Sequence, residues 1–170
     1  MKHTAFFAAV LFAANITAMP VQAQGGWQDA YQQTLTEYRH TGGYLPETEG
    51  EEDTGSRWDL CDINSDGIPE LFISPDSTHA FGCLVYTYSN GTAVPLEARE
   101  GQTFGEYGVT NVDTESHVIR AYHFGMGTEM IGYYAFDGMI LTELDRFVGT
   151  SVYLGEGLGT QDTYQQNGTE

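Results

Sequence analysis

The chain has 170 residues, with 24 Asp and Glu against six Lys and Arg, for a formal net charge of −18 at pH 7. So acidic a surface repels phosphate backbones and anionic lipid heads, which argues against nucleic acid and membrane partners and favours cations, basic partners and solubility. The length suits one domain with a real core.

Lys2 and His3 precede the apolar run Ala5–Ala14, and Val21-Gln22-Ala23 supplies a small-residue cleavage pattern. These are the parts of a secretory signal peptide over residues 1–23, so the expected product is a single exported domain over 24–170, secreted or periplasmic. The apolar run falls short of the roughly 20 residues that cross a bilayer, and no later segment approaches that length, so no membrane span is expected. Removal of Lys2 leaves Arg39, Arg57, Arg99, Arg120 and Arg146 as the basic side chains.

Trp27–His40 (WQDAYQQTLTEYRH) repeats Trp27, Tyr31, Leu35 and Tyr38 at helical spacing, and Gly42-Gly43 stops the helix. Residues 45–56 (LPETEGEEDTGS) carry Glu49, Glu51, Glu52 and Asp53 with Pro and Gly and no apolar period, which reads as a solvated, mobile acidic loop.

The segment Trp58–Ser74 (WDLCDINSDGIPELFIS) follows. Asp62, Asn64 and Asp66 occupy alternate positions, so a curled loop turns their oxygens toward one centre, where calcium takes six to eight oxygen ligands. Gly67 permits the sharp turn after the third of them. The Ile68 carbonyl would face the ion, and Glu70 offers a closing carboxylate. An EF-hand is excluded, because Ile73 stands where its closing glutamate belongs and the flanks read as strands, with Pro69 extending Ile68. No Cys or His falls at a ligand position, and this hard-oxygen set suits Ca²⁺ rather than Zn²⁺ or Cu²⁺. An Asx-rich hairpin turn that holds no metal is the alternative.

The pattern D-x-N-x-D-G-x-x-E resembles the calcium loops of integrin-type FG-GAP and VCBS blades. The longer string DINSDGIPELFIS, preceded by a helix and followed by YTYSNG, is similar to small exported bacterial proteins that carry one such loop. The resemblance implies Asp62, Asn64, Asp66 and Glu70 as side-chain ligands and Ile68 as a carbonyl ligand. It covers about 17 residues closely, and one copy does not imply a propeller.

Beyond the loop, Glu70–Ser74 is an apolar strand, and Cys83–Ser89 meets Thr92–Leu96 across Asn90-Gly91, a type I′ hairpin signal. Ser116–Phe124 turns at Gly125–Thr128 into Glu129–Phe136, and Asp137-Gly138 turns that strand into Met139–Leu144. Residues 149–159 read as a glycine-broken strand or loop, and 160–170 as a polar, frayed end. The fold expected is α+β, with an N-terminal helix packed on an antiparallel β-meander sheet.

Cys61 and Cys83 are the only cysteines, and an oxidising compartment makes a Cys61–Cys83 disulfide the expected pairing, with two buried thiols as the alternative. Such a bridge would close a loop of about 22 residues and stabilise the fold by about 3 kcal/mol. His117 and His123 share a face of their strand but stand roughly 20 Å apart at about 3.3 Å per residue, too far for a shared ion. His40 and His79 have no evident partner. Gly-x-Ser-x-Gly is absent, and no carboxylate pair is singled out for glycosidase chemistry. Tyr86, Tyr88, Tyr122, Phe124, Tyr133, Tyr134 and Phe136 suit cross-strand packing or a carbohydrate-stacking surface.

The function expected is an exported, calcium-stabilised binding or interaction module with no catalytic residues, its partner a protein or a carbohydrate. A small hydrolase using paired carboxylates and a structural or inhibitory protein are the rivals.

Overall fold

The computed structural model describes residues 26–53, 55–75, 82–98, 104–105, 107–125, 127–153 and 160–166. The expected signal peptide, His79 and Arg99 lie outside these residues. Among them, no helix is long and apolar enough to cross a membrane.

Helix α1 spans Gly26–His40 and buries Tyr31 and Leu35, one turn apart on one face. Its end forms a Schellman motif. Gly42 takes φ 98°, Gly43 N–H donates to the Tyr38 carbonyl at 3.1 Å, and Gly42 N–H donates to the Arg39 carbonyl at 3.2 Å.

The first sheet contains β1 (Glu52–Asp53), β2 (Ser56–Cys61), β3 (Glu70–Ser74), β4 (Leu84–Ser89) and β5 (Thr92–Leu96), antiparallel and in chain order. Asn90 (φ 51°) and Gly91 (φ 87°) both take positive φ, as the type I′ turn between β4 and β5 requires. The second sheet contains β6 (Val109–Asp113), β7 (Val118–Gly125), β8 (Thr128–Phe136), β9 (Leu141–Tyr153) and β10 (Thr160–Gln166), also antiparallel neighbours in chain order.

Alternation along β3 decides the layering. Leu71 and Ile73 pack with Tyr31, Leu35 and Leu45 on the helix side. Phe72 points the other way, toward a cluster of Ile63, Val85, Phe104, Ile119, Ala121, Tyr134 and Phe136. The order is therefore helix, first sheet, second sheet.

The expected N-terminal helix on an antiparallel meander holds for the first sheet, and the α+β class is corrected. Among the described residues the chain is mostly antiparallel β, with two five-stranded sheets and one short helix, where a single meander was anticipated. One helix covers one face of the first sheet only, and apolar side chains on the other face need a second cover. The meander breaks after β5, and Phe104, fully buried, pairs with Cys83 as the chain leaves for the second sheet.

Three further expectations change. The acidic stretch 45–56 is anchored: Leu45 is buried, Arg39 donates to the carbonyls of Leu45 and Pro46, and Trp58 Nε1 donates to the Pro46 carbonyl at 2.9 Å. Residues 160–166 of the polar end form a strand, with seven β10 residues paired to β9. The β8–β9 connection covers four residues, so Met139 and Ile140 lie in the turn, exposed.

Candidate metal centre

The loop joining β2 to β3 is built from short-range hydrogen bonds that the sequence spacing dictates. The Asp62 carboxylate receives Asp66 N–H at 3.2 Å and Gly67 N–H at 2.9 Å. Asp66 Oδ1 receives Ile68 N–H at 2.7 Å, and Asp66 Oδ2 receives Asn64 Nδ2 at 2.8 Å. Asn64 Oδ1 also accepts from Asp66 N–H at 3.4 Å. Ser65 (φ 59°) and Gly67 (φ 86°) take the left-handed conformation that curls the chain between these bonds.

Glu70 closes the loop from below. It opens β3 on the face toward the second sheet, opposite Cys61, and is only 1% exposed. Its Oε2 receives Ile63 N–H at 3.0 Å, and its Oε1 receives the Thr87 hydroxyl at 3.2 Å. Burial pushes its carboxyl up to about 7. The bonds from Ile63 and Thr87 oppose that rise, and the charges of Asp66 and Asp62 add to it. Burial first, and then the same negative field, raises the Tyr31 hydroxyl and the Cys61 thiol.

The structure thus places Asp62, Asn64, Asp66 and Ile68 in one loop, with Glu70 at the start of β3, and joins Asn64 to Asp66 directly. Asp62, Asp66 and Glu70 each bond to N–H groups of the loop itself. Among the described residues, no group of three or more His, Cys, Asp or Glu side chains stands close enough to share a metal ion.

Three contributors escaped the sequence reading. Ile63, fully buried, plugs the loop into the core between the sheets. Thr87 orients Glu70 from β4. Gly138, at φ 93° in the β8–β9 connection, lies against the loop, and a Cβ there would collide with the Asn64 amide and reach within 3.3 Å of Asp66 Oδ2. Gly138 was legible as a turn glycine, but nothing local reveals its neighbour across the sheets.

The expected Cys61–Cys83 disulfide is absent, and both thiols are free. Cys61 stands opposite Glu70, whereas Cys83 precedes Leu84, which stands opposite Ile73. The two cysteines therefore flank β3 on opposite sides, two strand spacings of roughly 4.8 Å apart and offset by about four residues. A disulfide requires Cα atoms within about 7 Å. Both thiols line a cleft of about 490 Å³ beside Arg57 and Thr110.

The aromatic set divides among three surfaces. Tyr86 and Tyr88 pack on the helix side, Tyr134 and Phe136 fill the core between the sheets, and Tyr122, Phe124 and Tyr133 alternate with inward residues on the outer face of the second sheet. His117 sits in the turn before β7 at φ 57°, and His123 lies on β7 with its ring centroid 6.1 Å from that of Tyr107.

Comparison with known proteins returns no match among family models, curated proteins or solved structures.

Proposed function

We propose that the protein is an exported binding module in which the Asp62–Glu70 loop takes Ca²⁺ as a structural ion, as the resemblance to FG-GAP and VCBS loops implies. One observation carries the reading: Glu70 is buried at the base of a loop whose other acidic groups, Asp66 and Asp62, raise its proton affinity further. A buried carboxylate among like charges is costly until a cation or a proton neutralises it.

The donor set fits calcium. Asp62, Asn64, Asp66 and Glu70 with the Ile68 carbonyl would hold the ion, and all five donors are oxygens. The Asn64 amide touches Asp66 through its nitrogen, and turning it over presents its oxygen on the same side. Asp62 is already oriented by two backbone N–H groups. Binding would draw Asp66 and Glu70 inward from their present backbone partners. The reading assigns no catalytic residue.

Thermal unfolding in EDTA and in calcium, on the wild type and Asp66→Ala, tests it. Extracellular sites of this kind bind at about 10⁻⁴–10⁻³ M. The wild-type midpoint should rise with calcium as RT ln(1 + [L]/Kd), about 2.7 kcal/mol at one hundred times Kd. Asp66→Ala should flatten that response. A wild-type midpoint indifferent to both calcium and chelator sinks the proposal.

A further inference from the structure

The outer face of the second sheet carries chemistry that the calcium loop does not use. β-register aligns Asn111 of β6, Arg120 of β7, Tyr133 of β8 and Asp145 of β9 in one transverse row. The row crosses three strand spacings, roughly 14 Å, and all four side chains line a groove of about 600 Å³. Grooves of small-ligand sites run from about 300 to 1,000 Å³.

The row's surroundings make it a built site. Phe147 stands edge-on to Tyr133, with ring centroids 6.3 Å apart and planes at 84°, and is itself 38% exposed. A β-bulge falls between Tyr133 and Tyr134, so Leu144 is an extra residue in β9 and lines the groove beside Asp145. Bulges re-aim side chains in this way next to functional sites. The Asp145 carboxylate is held in place, Oδ1 by Arg146 N–H at 2.8 Å and Oδ2 by Gln166 Nε2 at 2.7 Å. Each of those oxygens keeps a lone pair for a further donor. At the groove's other end, Asp113 is fixed by the Ser116 hydroxyl at 2.6 Å and by Glu115 N–H at 3.0 Å. Arg120 is exposed and has no ion-pair partner among the described residues.

Charge selects the occupant. A basic segment laid along the groove meets the Arg120 guanidinium in the middle. An acidic segment meets Asp113 and Asp145, and a chain of net charge −18 besides. A second copy of the chain carries the same excess charge. A neutral polyhydroxylated ligand satisfies every group at once: hydroxyls donate to Asp145, accept from Arg120 and Asn111, and leave an apolar C–H face for the Tyr133 and Phe147 rings. We propose that this groove binds a short neutral oligosaccharide. The proposal deepens the binding-module half of the functional reading and is independent of its calcium half.

Isothermal titration calorimetry of the full chain against malto-, cello-, xylo- and manno-oligosaccharides, in calcium and in EDTA, tests it. At least one neutral oligosaccharide should bind, and the exposed-residue changes Arg120→Ala and Asn111→Ala should each weaken it by about tenfold, or 1.4 kcal/mol. Tyr133→Phe should retain binding and Tyr133→Ala should lose it, with unfolding midpoints showing that both variants fold. Silence toward all four series overturns the proposal, as does binding that none of these changes weakens. Binding of a lysine-rich peptide that Arg120→Ala strengthens would assign the groove to a basic partner and overturn it too. A glycan failure leaves the calcium-dependent midpoint untouched, and a calcium failure leaves glycan titrations in EDTA intact, so the two readings fail separately.

Discussion

Glu70 is the residue on which the loop turns, and its titration has a definite sign. Its carboxyl is pushed from the usual 4.5 up to about 7 in the folded chain. Between those values the folded state holds a proton that the unfolded state has released, so stability falls as pH rises. In EDTA, the wild type should therefore be more stable near pH 5 than near pH 7.5. Glu70→Gln removes the titration and should flatten that difference in unfolding midpoint; an unchanged slope refutes the assignment. Bound calcium would abolish that fall between about pH 5 and 7, because it displaces the proton from Glu70. That Asp62, Asn64 and Asp66 share one loop, with Glu70 opening the strand that follows, was legible because the spacing is local. Ile63 and Thr87 were not, since their roles depend on which face of the sheet they meet. The alternation of acidic positions says nothing of the apolar residue between them, yet Ile63 fixes where the loop sits.

At the scale of elements, α1 is an amphipathic helix whose stability comes from one buried stripe, because isolated helices of this length are marginal. Leu35→Ala should cost roughly 2–5 kcal/mol in urea unfolding, against little for a change at an exposed position such as Gln32. A cost below 1 kcal/mol would mean that α1 is not packed on β3. The β8–β9 connection makes a second test, since Gly138 holds φ 93° against Asn64. Gly138→Ala should destabilise by about 1–3 kcal/mol through strain alone, and it should also weaken any calcium response by displacing Asn64. Retention of both midpoint and response would show the connection to be detached from the loop. Helix α1 and strands β3 and β5 could be read from period, glycine and the Asn-Gly turn. Strand β6 offers only five residues of mixed polarity, and β10 (TQDTYQQ) has no buried face, so neither announces itself. β10 exists because the long β9 presents an edge that its backbone can pair with.

For the whole molecule, sequence period shows which residues are buried but not which layer buries them. Val85 on β4 and Ile119 on β7 both read as core; that they meet across two different sheets depends on the crossing near Phe104, which no periodicity marks. The same ambiguity misled the cysteine pairing. Two cysteines in a chain expected to be exported suggest a bridge, yet Cys61 on β2 and Cys83 just before β4 stand on opposite sides of β3, and the intersheet core fixes both strands. Burial pushes the Cys83 thiol up to about 12, which suppresses the thiolate that oxidation and alkylation require. Dithiothreitol should therefore leave the unfolding midpoint unchanged, and thiol titration in denaturant should count both cysteines as reduced. In the native state Cys61 should react before Cys83, whose thiolate burial suppresses. Calcium would slow the Cys61 reaction by tightening the loop that follows it and leave Cys83 unaffected. A midpoint that drops on reduction, or a chain with no titratable thiol, would require β2 and β4 to approach each other and would overturn the strand order of the first sheet.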